Sequence, residues 1–195
     1  MKKIISLILA GVMVLGLAAC GTKAPAETNA PETTAPAVTV ESSLAVLEDI
    51  WALYGDDEKF AVIGGNMEAP EDGAPGNYDM AYAENLTWNL LVPADQLANI
   101  DQAATMIHMM NANTFTCGVV HLTGGADAAA FAQVMRDAIQ GNQWMCGFPE
   151  TLVIASIGDY VLIAFGVNDA MTPFMNHFAE AYPEVQVLVN EAIAG

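Results

Sequence analysis

The chain has 195 residues, of which 5 are Lys or Arg and 23 are Asp or Glu, giving a net charge of −18 at pH 7. This balance argues against a nucleic-acid partner, because binding to phosphates needs clusters of basic side chains. It also argues against electrostatic docking on anionic lipids. The length and the hydrophobic content of 54% suit one packed domain with additional segments.

The first twenty residues have the pattern of a bacterial export signal. Two lysines precede an apolar run, Ile4 to Leu17, which is too short to be a stable membrane span. The run ends in Leu-Ala-Ala-Cys at Cys20, which resembles the lipobox of lipoprotein signal peptides. We expect cleavage of residues 1–19 and a diacylglycerol on the Cys20 thiol. The alternative is an ordinary secretory peptide that happens to carry a cysteine.

The residues after the signal predict a tether. Residues 22–40 consist almost entirely of Ala, Pro, Thr and Glu and show no apolar period. This composition is typical of an extended, solvated segment. We therefore expect residues 20–40 to be a lipidated spacer, and residues 41–195 to form a single domain on the extracytoplasmic face of a Gram-positive cell membrane.

The first half of the domain predicts helices and a loop. Ser43–Tyr54 has apolar residues at helical spacing, and Ala83–Leu91 also has a helical pattern that stops before a proline. Phe60–Ile63 is a short strand candidate. Residues 64–78 are rich in Gly and Pro and predict a long loop, whose acids fit a solvated surface better than a calcium site.

The second half predicts strands alternating with helices. Residues 101–110 fit either a helix or a strand, and we favour a strand because turn residues and a plain strand, Phe115–Leu122, follow. Ala128–Gln140 predicts an amphipathic helix. A further helix is expected to start at Thr172 and Pro173, before an edge strand at Val185–Val189.

We expect Thr151–Gly166 to be the centre of the fold. It predicts a hairpin with a type II′ turn at Gly158 and Asp159, and its nearly continuous apolar content indicates a position inside the sheet. The predicted fold class is α+β, with an antiparallel sheet from two ββα units, helices on one face, and N-terminal helices.

Histidine and methionine residues cluster in the two predicted strands that precede the Ala128–Gln140 helix. His108, His121, Met106 and Met110 suggest a soft-metal site of the copper type, because imidazole and thioether ligands suit that ion. The strands could bring the two histidines together only if their register allows it. The alternative is that the methionines fill gaps in the core.

The sequence has two cysteines in addition to Cys20, namely Cys117 and Cys146, and these could form a disulfide in an exported protein. Two separate thiols are an equal alternative, because the spacing does not determine the geometry. No serine lies in a recognisable nucleophile motif, and no glycine-rich stretch has a phosphate-binding frame. We therefore expect neither an enzyme nor a cofactor.

Three segments resemble small lipoproteins of gut clostridia that are often labelled "bacteriocin transport accessory protein". They are Met106–Phe115, Asn142–Leu152 and Gly158–Gly166, and the resemblance extends over residues 43–190. A weaker resemblance, over residues 100–180, is to a larger clostridial lipoprotein family of unknown function. Neither family implies catalytic residues.

These patterns predict a membrane-anchored binding or accessory module for an envelope or extracellular partner. The alternative is a lipoprotein that captures a small ligand or a soft metal. A pocket lined by Trp144, Met145, Phe148 and the His/Met strand would favour ligand capture. A filled core with an exposed apolar patch would favour a protein partner.

Overall fold

An eight-stranded antiparallel sheet forms the centre of the protein in a computed structural model, whose described residues are 40–194. The strands are β1 (Val62–Asn66), β2 (Ala69–Asp72), β3 (Gly76–Asn77), β4 (Ile100–His108), β5 (Phe115–Leu122), β6 (Thr151–Ile157), β7 (Tyr160–Gly166) and β8 (Gln186–Ala192). They lie in the order β2-β1-β4-β5-β7-β6-β8, and β3 pairs with β4 next to β1. The sheet therefore has β2 and β8 at its edges.

Within residues 40–194, four helices and two 3₁₀ segments accompany the sheet. The helices are α1 (Ser43–Ala52), α2 (Leu86–Asn89), α3 (Ala128–Gln140) and α4 (Asn168–Ala181), and the 3₁₀ segments are Met80–Asn85 and Ala94–Asn99. Ser42 caps α1, because its hydroxyl oxygen accepts a hydrogen bond from the Ala45 N–H at 3.0 Å.

The expectation that the helices lie on one face of the sheet is wrong. Val153 and Ala155 of β6 belong to an apolar cluster with α1 and α4, whereas Leu152 and Ile154 belong to a second cluster with α2 and α3. Successive side chains of a strand point to opposite faces, so both faces are covered. The physical reason is the nearly continuous apolar content of β6 and β7, which requires burial on two sides.

The predicted central hairpin is confirmed. β6 and β7 pair along their whole length, and Ile154 lies opposite Ile163, with both side chains fully buried. Gly158 has a φ of +60° at the first turn position. β7 pairs with β5 on its other side, which places the hairpin inside the sheet.

The segment expected to be a loop, residues 64–78, instead contains the end of β1 and the whole of β2 and β3. Its glycines permit a close backbone approach that side chains would block. A Cβ on Gly76 would lie 2.6 Å from the backbone nitrogen of Gly65. Glycine content therefore marks tight strand packing here, and not a mobile loop.

Two helix boundaries also differ from expectation. The predicted helix at Ala83–Leu91 is divided, because residues 83–85 belong to the 3₁₀ segment Met80–Asn85 and α conformation is confined to α2, Leu86–Asn89. α4 begins about one turn before Thr172, at Asn168, whose N–H donates to the Glu150 carboxylate at 2.7 Å. A side chain distant in sequence thus provides a partner for the start of α4, and Pro173 lies inside the helix and not at its first position. The strands predicted at residues 101–110, at Phe115–Leu122 and at the C-terminal edge are confirmed.

Candidate functional site

The structure does not bring the four expected metal ligands together. His121 on β5 lies opposite Gln102 on β4. Gln102 and His108 are separated by six residues along β4, which is about 20 Å, so His121 and His108 lie far apart. The side chain of Met106 is fully buried in the core, and that of Met110 is 81% exposed. The strand register therefore excludes the soft-metal site that the sequence suggested. Within residues 40–194, no three His, Cys, Asp or Glu side chains are grouped so that they could hold a metal ion.

Each histidine of that set has a local partner. The Nδ1 atom of His108 accepts hydrogen bonds from the backbone N–H groups of Met110 and Asn111, at 3.2 and 3.3 Å. Its ring stacks on Phe60, with centroids 5.7 Å apart. His121 contacts Asp101 at 2.6 Å through its own Nδ1. His108 thus shapes the turn after β4.

The two cysteines of the domain are separate free thiols, so the disulfide alternative is wrong. Cys117 is fully buried, and burial raises the pKa of its thiol well above the usual value. A buried thiol of this kind is unreactive. Cys146 is exposed and lies in the α3–β6 loop with a φ of +64°.

Four large apolar side chains are exposed at one end of the sheet. Met109 and Met110 follow β4, and Met145 and Phe148 lie in the α3–β6 loop, with exposed fractions of 44, 81, 78 and 63% in that order. We call these four residues the Met/Phe surface. The segments that carry them, residues 109–114 and 142–149, contain no charged side chain.

Side-chain amides connect the two segments of the Met/Phe surface. The Nδ2 atom of Asn111 donates to the Cys146 carbonyl at 2.7 Å. The Nδ2 atom of Asn113 donates to the carbonyls of Met145 and Gly147, at 2.8 and 3.1 Å. These bonds satisfy carbonyls of a loop with no regular secondary structure, so they hold it against the β4–β5 turn.

The aromatic neighbour of this loop points inward. Trp144 is partly buried and packs on Phe165, with ring centroids 5.4 Å apart. Its indole Nε1 atom is buried without a hydrogen-bond partner. Trp144 therefore anchors the loop to the sheet, while Met145 and Phe148 face solvent. The sequence had marked these residues as pocket candidates, but the structure exposes two of the three.

The described chain enters the fold at the opposite end of β4. The Ser43 N–H donates to the Gln102 side chain at 2.6 Å, at the start of α1. About 20 Å of β4 separates Gln102 from Met109. The first described residues and the Met/Phe surface therefore lie toward opposite ends of β4.

The predicted signal, Cys20 and nearly all of the tether lie outside the described residues. In the part of the chain that the structure describes, every helix is too short or too polar to cross a bilayer. Comparison of the chain with protein families, curated proteins and solved structures finds no match.

Proposed function

We propose that the protein is a lipid-anchored, extracytoplasmic binding module that contacts an envelope or extracellular protein through the Met/Phe surface. Binding, and not catalysis, is its activity in this proposal. The observation that carries it is the exposure of four apolar side chains on two hydrogen-bonded segments, at the end of the sheet away from Ser43. A lipid on Cys20 and a spacer of residues 20–40 would then hold the domain near the membrane and leave this surface accessible to a partner.

Physical chemistry favours a protein partner for this surface. Contiguous exposed apolar side chains are unfavourable in water, and they are typical of sites that another protein covers. Methionine adapts its shape to an apolar partner because its chain is unbranched and flexible. The remainder of the protein is strongly acidic, so a partner with basic groups around an apolar groove would be complementary to it.

The expected relationship to the clostridial accessory lipoproteins is part of this proposal. So are the two ββα units of the predicted fold. Chain order supports them, because β4 and β5 precede α3, and β6 and β7 precede α4. However, α3 and α4 cover opposite faces of one antiparallel sheet. A rotation that superposes β4 and β5 on β6 and β7 would keep both helices on the same face of the sheet. We therefore infer that the two units share an order of elements and are not symmetric copies.

The partner can be identified by capture from the native envelope. The full-length lipoprotein and the variant Phe148→Glu would be cross-linked in the source cells and purified under the same conditions. We expect one envelope protein to be enriched with the wild type and lost with the variant, because a carboxylate in an apolar contact is strongly unfavourable. Trp88→Ala removes an exposed aromatic side chain elsewhere and should retain the partner. Equal recovery with Phe148→Glu would refute the role of the surface.

The anchor is tested separately. Cys20→Ala should release the protein from membranes or leave its precursor uncleaved, since two acyl chains provide the stable attachment. Mass spectrometry of the wild type should find a diacylglyceryl group on an N-terminal Cys20. An unmodified N-terminus at another residue would disprove lipidation.

A second candidate function, capture of a small ligand, is favoured by one specific observation. A cleft lined by side-chain amides and by the exposed Trp88 lies between α2 and the end of β1.

A further inference from the structure

A cleft of about 230 Å³ lies between the end of β1 and α2. Its lining combines amide, aromatic and thioether side chains, namely Asn66, Met67, Tyr78, Asn85, Trp88 and Asn89. A smaller neighbouring cleft, of about 90 Å³, shares three of these residues and extends to Ile107. None of the six lining residues is charged.

The aromatic wall of the cleft is unusually exposed. The side chain of Trp88 is 84% exposed, although its neighbours Leu86 and Leu90 are fully buried. These two leucines hold α2 on the sheet, so the indole projects from a fixed element. An indole held in this way presents a flat apolar face on which a ligand in the cleft can pack.

The polar wall contains a buried amide with an unused donor. Asn66 is 5% exposed, and its Oδ1 atom accepts a hydrogen bond from the Ala69 N–H at 3.2 Å. Its Nδ2 atom is buried and has no hydrogen-bond partner. A buried N–H group without an acceptor is unfavourable, and a ligand oxygen in the cleft would satisfy it.

A tyrosine orients a second amide. The Tyr78 hydroxyl donates to Oδ1 of Asn89 at 3.1 Å, which leaves the Nδ2 donors of Asn89 for another acceptor. Burial, followed by the charges of Glu68 and Glu84, raises the pKa of Tyr78 to about 12. The hydroxyl therefore keeps its proton at neutral pH. The two carboxylates make the surroundings of the cleft unfavourable for an anion.

We propose that this cleft binds a neutral sugar ring of a glycan, which stacks on Trp88 and forms hydrogen bonds with Asn66 and Asn89. A sugar ring presents C–H groups on one face, which fit an indole plane. Its hydroxyl groups both donate and accept, as the side-chain amides do. The site is separate from the Met/Phe surface, so the inference goes beyond the proposed function.

The test is calorimetric titration of the full-length chain in a detergent without a sugar headgroup. Tri-N-acetylchitotriose, cellotriose and maltotriose are the three neutral probes, each taken to millimolar concentration. At least one should bind at a single site. Trp88→Ala should weaken that binding by about tenfold or more, because stacking on the indole is lost. Asn89→Ala should weaken it as well, through loss of a hydrogen-bond donor.

Val187→Ala is the control, because it shortens an exposed apolar side chain on β8, outside both the cleft and the Met/Phe surface. It should leave glycan binding unchanged. Thermal unfolding of each variant checks that the fold is intact. Absence of binding by all three probes, or equal binding by wild type and Trp88→Ala, would overturn the proposal. Tighter binding of trigalacturonate than of the neutral probes would overturn the preference for an uncharged sugar.

Discussion

Gly118, in the middle of β5, should not tolerate even one added methyl group. A Cβ at this position would meet the side chain of Leu90, with 2.6 Å to its Cδ2 atom and 3.1 Å to its Cγ atom. Leu90 is fully buried, so it has no free space into which to move. We therefore expect Gly118→Ala to lower the free energy of unfolding by about 1–3 kcal/mol, the usual range for overpacking.

A double-mutant cycle would attribute this loss to the contact itself. Leu90→Ala alone should cost about 2–5 kcal/mol through the cavity that it leaves. In the double variant, the new methyl group of residue 118 would occupy part of that cavity. We expect the combined loss to be smaller than the sum of the two single losses, by more than the roughly 0.5 kcal/mol within which independent sites add.

Chemical denaturation of the domain from residue 41 onward would measure these values. Midpoints can be compared only if the slope of the unfolding free energy against denaturant concentration is the same in each variant. A wild-type midpoint for Gly118→Ala, or strict additivity in the cycle, would refute the close packing of Leu90 on β5. The same contact fixes the segment that carries Trp88, so Gly118→Ala should also weaken glycan binding in the cleft.

Two further predictions concern the central hairpin and the C-terminal edge. Gly158→Val should lower the urea midpoint of the full-length protein, because a β-branched residue is strained at a φ of +60°. Thr33→Ala in the tether should leave that midpoint unchanged. Hydrogen bonds from Gln140 and Arg136, at 2.6 and 2.8 Å, lower the pKa of Glu191 below its ordinary value of 4.5. A lowered pKa in the folded state stabilises the fold above pH 4.5, and the effect is lost as the pH falls through the folded value. Glu191→Gln should therefore lower the urea midpoint at neutral pH but not in strong acid, and an equal loss at both would contradict the assignment.

The central hairpin could be predicted from sequence because its information is local. Gly158 and Asp159 specify a turn by their own backbone preferences, and apolar runs flank them. The strand at residues 101–110 was also predictable, since turn residues and a plain strand follow it. The side of the sheet that each helix covers was not predictable. That choice depends on which strands become neighbours. The apolar periodicity of α3 shows which face of the helix is buried, but not which side of the sheet it covers.

Both candidate sites depend on partners that are distant in sequence. The composition of the α3–β6 loop indicated bulky apolar side chains, but the loop that exposes Met145 and Phe148 is held in place by amides of Asn111 and Asn113 in another turn. The cleft unites Asn66 of a strand with Trp88 of a short helix. No spacing rule connects such residues, because their proximity is set by how β1 and α2 pack.

The amide bonds between the two segments of the Met/Phe surface have a kinetic consequence. Asn111 and Asn113 fix the carbonyls of Met145, Cys146 and Gly147, so this backbone is already ordered before any partner arrives. On the proposed function, association then requires no slow rearrangement of the loop. Its rate constant should lie in the ordinary range for preformed surfaces, about 10⁵–10⁷ M⁻¹s⁻¹, with a single kinetic phase. Differences in affinity among related partners would then arise mainly from how long each complex persists.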